Sequence, residues 1–558
     1  ETLYSSQDHY ILELLQNAED NQYSYNVEPT VIFELKRQCI CTGASDGCLV
    51  VINNEIGFSE QNVSALCSIG KSTKSNNKAG FIGEKGIGFK SVFQATGNPH
   101  IFSNGFAFSF FDKPDPEAGF GFIVPRWADT FPQHLAALAS QTIFVLPLKP
   151  TLFDKVAKEL CQLTPDIILF LSKIKCLVVV VDGEQRVAVR IQPCEDHLVR
   201  LWKGPSMSEV WLYHRDVDVP PEIGRAEEKR RGVTQRRISV ALGLDTESHR
   251  VLSRKVFSWL PVTSITTDLP FAVNADFILN ASRESLLLEW RWNVWLRDNL
   301  ADTVVLALKS LLGSTRPEMV YRFIPKSPKN VIMSPAQDFF RPVVLKVLES
   351  LAQEPIVMTL RGTYDSPCNV FIAPRSFYAL LKEREVPPLS KTLVARELLE
   401  HETQLRAIGV KDLPKDAILE LLRKTSWVFD QHADNISWFR YLYAFLAEQR
   451  WLPADYKGIS LVPLDLELCP NSATTSSSIT TSIYFPPTEL SEHDELRRNP
   501  AVIKYCHLVF MDRKLYAELD IQQKAWVSST LGVKTLVMAQ IAKAAWCEAY
   551  SAKGIISA

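Results

Sequence analysis

The segment from Glu13 to Asp20 constrains this chain more than any other. Residues 7–22 carry a helical pattern in which Ile11, Leu14, Leu15 and Ala18 recur at the spacing of one apolar face. Glu13 and Asn17 stand four apart, Asn17 and Asp20 three apart, so three oxygen-bearing side chains share one stripe of that helix. A carboxylate able to activate water, one turn from an amide oxygen able to ligate Mg²⁺, suits hydrolysis of a phosphoanhydride. Alone, such a stripe is more often just a solvated helix face.

Two later stretches change that balance. Residues 50–53 form a short apolar strand that runs into polar residues and Gly57, with a helix start at Ser59. Residues 80–93 form a glycine-rich loop, with Gly80, Gly83, Gly86 and Gly88, that opens into a helix. Glycines let backbone approach a ligand closely, and a helix N-terminus offers free N–H groups to phosphate. Between these stretches lies a polar segment, residues 68–78, holding Lys71, Ser72, Thr73, Lys74 and Lys78.

In this order, Leu15–Asn21, Asn53–Glu55 with Gly57–Ser59, Gly70–Lys74, and Ile82 to Ser91 resemble the Bergerat-fold (GHKL) ATPases. That group includes gyrase, the heat-shock chaperones, sensor histidine kinases and MutL; the wording is most similar to the sacsin and NO VEIN proteins. The resemblance implies an α+β sandwich of the Bergerat type that binds ATP and Mg²⁺. It implies that Glu13 is the general base, Asn17 the Mg²⁺ ligand and Asp20 an acid near the ribose side. Gly57 would close a turn against adenine, while Gly83, Gly86 and Gly88 would line the triphosphate, with Lys85 adding charge. Lys71, Ser72 and Thr73 would sit on a lid, and Thr142 would lie in a late strand beside the adenine-reading residue. The segment from Leu279 to Glu284 resembles the heat-shock chaperones' middle-domain loop, which makes Arg283 the candidate γ-phosphate sensor. The plainer alternative pairs Arg283 with a nearby carboxylate.

The chain departs from the group at one place. The group's adenine-reading Asp is here Asn53, and its first motif glycine is Glu55. An Asp only accepts hydrogen bonds, whereas an Asn must also place its NH₂. Leaving that donor buried and unmatched costs about 1–3 kcal/mol.

Other nucleotide motifs fail on their own terms. A P-loop ending at Gly70-Lys71-Ser72 would need a glycine where Ala65 stands, and one spanning Gly83 to Gly88 would need Lys where Phe89 stands. No strand-to-acid βαβ unit follows at Rossmann spacing. A sensor kinase would carry a phospho-acceptor His on a preceding helix, and only His9 precedes the core of this one. Two readings stay open: a hydrolysing ATP switch with a chaperone-like or remodelling role, and a nucleotide-gated scaffold that does not hydrolyse.

The length, 558 residues, leaves room for about three or four domains. The expected division is a Bergerat-type α/β domain at 1–150, a transducer-like α/β domain at 151–310, and two related helix-rich modules at 311–425 and 426–558. The modules are suggested by Leu405–Leu413, which is echoed by Ser528–Leu536 with Gly409 and Gly532 in register. A formal net charge of −2 gives no basic footprint for nucleic acid. The run of arginines between Gly224 and Arg237 is broken by Glu227 and Glu228 and reads as a solvated loop. No apolar run is long enough to span a membrane. The 11 cysteines have no metal or disulfide spacing, which fits free thiols in an intracellular, cytoplasmic or nuclear, compartment. The expected partners are ATP and a protein client, with nucleotide-dependent self-association implied by the resemblance. A start on Glu1 reads as a fragment of something longer.

Overall fold

A computed structural model describes residues 9–41, 46–67, 88–113, 124–128, 141–280, 283–328, 333–381, 392–423, 436–465, 467–468, 475–476, 482–487, 498, 503 and 508–537. The chain divides into two compact units, Glu1–Ala352 and Gln353–Ala558.

The first unit opens with helix α1 (His9–Asp20), strands β1 (Thr30–Lys36) and β2 (Cys48–Asn53), and helix α2 (Glu60–Leu66). There follow β3 (His100–Ser103), β4 (Phe106–Ser109), β5 (Arg126–Trp127), β6 (Thr142–Pro147), α3 (Phe153–Cys161), β7 (Cys176–Val181), β8 (Glu184–Pro193) and β9 (Leu198–Lys203). The rest is β10 (Ser206–Asp218), α4 (Pro221–Ala226), β11 (Gln235–Gly243), α5 (Thr246–Leu252), β12 (Val256–Ser258), β13 (Leu260–Pro261), β14 (Ala272–Asn274), α6 (Arg291–Leu312) and α7 (Pro335–Leu351). All these strands join one mixed sheet in the order β13-β12-β14-β11-β10-β9-β8-β7-β1-β2-β6-β3-β4-β5. Strand β1 lies antiparallel to β2 and parallel to β7, so the sheet runs unbroken across residue 150.

The strand patterns explain the layers. In β1, Val31, Phe33 and Leu35 alternate into the main core, where they meet Ile11, Leu14, Leu15 and Ala18 of α1. Strand β2 is buried at every position. Its Leu49 and Val51 face that same core, while Cys48, Val50 and Ile52 face a smaller cluster with Phe102, Ile143 and Val145. Burial on both faces is why β2 reads as an unbroken apolar run. Each fully buried Leu, Val or Phe here contributes about 1.5–3 kcal/mol. The short 3₁₀ helix Gly88–Gln94 adds Phe89, Val92 and Phe93 to the main core. Helix α2 begins where Ser59 caps it, in a reciprocal capping box with Asn62.

The arginine run at 225–237 is solvated only in part: Arg225, Arg231 and Arg237 are exposed, while Arg230 and Arg236 turn inward. It starts at the end of α4 and runs into the first, mostly exposed residues of β11, whose later positions are buried. Arg230 is buried and pairs with Asp276 at 2.7 Å; Arg236 pairs with the other oxygen of Asp276, also at 2.7 Å. Both guanidinium groups lie over the ring of Trp292. One carboxylate and one indole thus supply what water would otherwise supply. No helix among the described residues is long and apolar enough to cross a membrane.

The second unit is built of short helices and two-residue strand pairs. Its two echoed segments adopt the same local form. In each, a helix (Glu402–Ala407; Ile521–Leu531) leads to a glycine at positive φ, Gly409 at 100° and Gly532 at 74°. Two residues on, each makes a parallel bridge, Lys411 with Phe371 and Lys534 with Tyr484.

Candidate functional site

Helix α1 buries its polar side chains along with its apolar ones. Glu13 is 4% exposed and Gln16 1%; Glu19 and Asp20 are buried too, and Asn17 is half-buried. Polar groups so placed need partners. Glu13 Oε1 finds Arg283 Nε at 3.0 Å, and Arg283 Nη1 donates to Gln16 Oε1. The two candidates for catalysis therefore meet each other. The carboxylate beside Arg283 is Glu13 itself, so the plain ion-pair reading and the sensor reading fall on the same contact.

Arg283 is held there by its loop. Its φ of 59° is a left-handed conformation that a non-glycine residue keeps only when its surroundings require it. Asn293 of α6 clamps both stems: its Oδ1 accepts from Ile278 N at 2.8 Å, and its Nδ2 donates to Ile278 O at 2.8 Å and Leu287 O at 2.9 Å. Within the loop, Asn280 Oδ1 accepts from the backbone N–H of Glu284 and of Ser285. Glu13 and Arg283 line a cavity of about 120 Å³ with Leu12, Gln16, Ser258 and Leu279, a volume suited to a few waters rather than a nucleotide.

Glu19, unremarked in the sequence, anchors the helix from its other side. Its Oε1 accepts from Ser172 N, Ser172 Oγ and Lys173 N at 2.7, 2.6 and 2.9 Å, and its Oε2 from Ile174 N at 2.9 Å. This carboxylate satisfies the backbone just ahead of β7 and fixes α1 against the sheet.

At the other end of α1, the polar residues gather around the end of β2. Asn53 stands opposite Thr142 in the β2–β6 register. Asn53 is 3% exposed and Thr142 fully buried. Thr142 Oγ1 and Ser103 Oγ are 2.5 Å apart, and Ser103 Oγ accepts from Phe58 N at 2.9 Å. Gly57 turns at a φ of 93°, where an added Cβ would lie 2.6 Å from Asn104 Cβ. Both the backbone sign and the crowding exclude a side chain there. Ile56 N donates to Gln22 O at 2.9 Å, and Tyr23 Oη lies 2.7 Å from Ala18 O and 2.8 Å from the Asn53 amide. The end of α1 that carries Asn17 and Asp20 is thereby stitched to Asn53. Glu55, in place of the first motif glycine, is buried beside them.

Lys71, Ser72, Thr73, Gly83, Lys85 and Gly86 lie outside the described residues. Gly88 is the first residue of the 3₁₀ helix. Lys90, two residues on, donates from Nζ to Leu66 O at 2.9 Å and sits 4.1 Å from the Phe110 ring centroid; burial pushes its pKa down to about 8. Among the described residues no group of three His, Cys, Asp or Glu could hold a metal. Asn17, the expected Mg²⁺ ligand, is half-buried on α1.

Tyr23, Gln16, Glu19 and Ser103 are the residues that sequence reasoning missed. Polar residues at helix positions that a buried helix cannot expose were the available signal for Gln16 and Glu19. The bonds of Tyr23 and Ser103 are made across the fold and leave no local pattern.

With this geometry in place, residues 2–118 match the family described as Sacsin domain. The chain is also similar to Protein NO VEIN of Arabidopsis thaliana, with 34% identity over 334 residues, covering 55% of this chain and 11% of that protein. The chain thus spans about a tenth of the relative it matches. The two similarities support a sacsin- and NO VEIN-like family.

Proposed function

We propose that the first unit is a Bergerat-type ATP-binding module that hydrolyses ATP with Mg²⁺ and uses the cycle as a switch for chaperone-like or remodelling work on a protein client. The Glu13–Arg283 pair supports this most. It joins a helix at the start of the chain to a loop far downstream, and its planar cation is of the kind for which a phosphate competes with a carboxylate.

The residues fit the ligands. A buried amide terminus of Asn53 has no hydrogen-bond partner among the described residues, a ready place for a base. Gly57 keeps side-chain bulk out of the adjoining turn. Asn17 offers a hard oxygen of the kind Mg²⁺ takes when phosphates and waters fill its other positions. ATP supplies the phosphoanhydride, and the metal supplies charge to its oxygens. Glu13 takes the proton of the attacking water. It can do so when Arg283 passes from its carboxylate to the terminal phosphate, because a carboxylate freed of its cation is the better base. Gln16 keeps hold of the same guanidinium and limits where it can swing.

A second reading has its own support. Asn53 and Glu55 both depart from the ATPase pattern, which favours a nucleotide-gated scaffold without turnover. Calorimetry with ATP, with and without Mg²⁺, run beside phosphate release, separates them. The expected result is Mg²⁺-enhanced binding with steady release; binding without release selects the scaffold, and no binding overturns both.

A further inference from the structure

We infer that Tyr23 sets the orientation of the Asn53 amide, turning its oxygen rather than its NH₂ into the unpartnered place, where a bound base would offer it an N–H donor. This rests on the nucleotide reading above and adds what would select the base.

The argument is a proton count. Tyr23 Oη lies 2.7 Å from Ala18 O and 2.8 Å from one terminus of the Asn53 amide. A phenol carries one proton, and a backbone carbonyl can only accept. Two oxygens at 2.7 Å need a proton between them, so the Tyr23 proton belongs to Ala18. Burial, aided by the nearby carboxylates of Glu55 and Glu19, raises the Tyr23 pKa, so that proton stays in place. The amide terminus facing Tyr23 must then be the donor. With Oδ1 toward Tyr23, one proton would serve two acceptors and the buried Nδ2 would have no partner. Turning the amide by half a circle gives Tyr23 one acceptor and one donor and leaves an acceptor, not a donor, in the unpartnered place; the termini have the same shape and are told apart only by their bonds. Nδ2 then donates to Tyr23, and Oδ1 takes the unpartnered place.

An oxygen in that buried place does what an aspartate would do at this position. It accepts from the 6-amino group of adenine and rejects a purine with a 6-oxo group, which offers only a lone pair. Asn53 serves as an acceptor because Tyr23 absorbs its donor.

Competition of MgATP and MgITP for the full 558-residue chain tests this. Wild type should prefer ATP by at least about tenfold, the effect of one mismatched buried polar contact. Tyr23→Phe lets the amide turn either way and should bring the ratio near one. Tyr23→Phe with Asn53→Asp has no amide to misplace and should restore the preference, which a folding defect would not. A Tyr23→Phe variant that keeps the wild-type ratio, or that loses both nucleotides equally, overturns the inference, as does a wild type that prefers ITP. Wild type binding neither nucleotide overturns the nucleotide reading, and this with it.

Discussion

Glu13→Ala should bind MgATP as wild type does and release phosphate about 10²–10⁴-fold more slowly, the usual contribution of a positioned general base. Glu13 is the carboxylate of α1 that faces the water-sized cavity, and it is buried with Arg283 at 3.0 Å. Binding should survive because the proposed base-recognition end, around Asn53 and Gly57, lies at the opposite end of the helix and keeps its own bonds. Glu13→Gln is the companion variant. It retains a hydrogen-bond acceptor for the guanidinium but cannot take a proton, so it should lose turnover with less disturbance of Arg283. Single-turnover phosphate release, with binding measured separately, gives the answer. Wild-type release from either variant would remove Glu13 from the mechanism.

Arg283→Ala should act on stability and on turnover together. It leaves Glu13 buried without the cation it faces, and breaking a buried pair in this way costs about 3–5 kcal/mol. It also frees the acceptor of Gln16. In urea, without nucleotide, the unfolding of the first unit should move to clearly lower denaturant. Arg283→Lys should recover only part of this, because a point charge cannot hold Glu13 and Gln16 at once as the planar fork does. Adding Glu13→Gln to Arg283→Ala should restore stability relative to Arg283→Ala alone, since no buried charge is then left over; that non-additivity is the signature of direct coupling. Turnover tells the roles apart. A purely structural arginine would give a variant that, once folded and saturated with MgATP, hydrolyses at the wild-type rate. A residue that engages the terminal phosphate would give one that binds ATP and turns it over at least about 10³-fold more slowly, the scale of a catalytic arginine.

What the sequence made legible was local. The apolar face of α1 follows from its 3.6-residue period, and β2 from its unbroken run of branched residues. Gly57 sits where only glycine takes a left-handed turn against Asn104. Ser59 marked the start of α2, where the structure shows it in a capping box with Asn62. The losses were non-local. Arg230 and Arg236 looked solvated like their neighbours because nothing near them in the chain reveals Asp276 or Trp292. Glu19 looked like one more acid on a helix, since its partners at Ser172–Ile174 lie far along the chain. The departure at Asn53 looked like a defect because Tyr23, its partner, is recognised only by a bond across the fold.

The central claim is that one pocket joins Asn17, Asn53 and the Glu13–Arg283 pair around a metal-bound triphosphate. A crystal structure with Mg²⁺ and a non-hydrolysable ATP analogue tests it most directly. The account predicts the metal on Asn17 Oδ1, the base against Asn53, and Arg283 on the terminal phosphate instead of on Glu13. An analogue bound elsewhere, or held with Asn17 and Asn53 untouched, would contradict it.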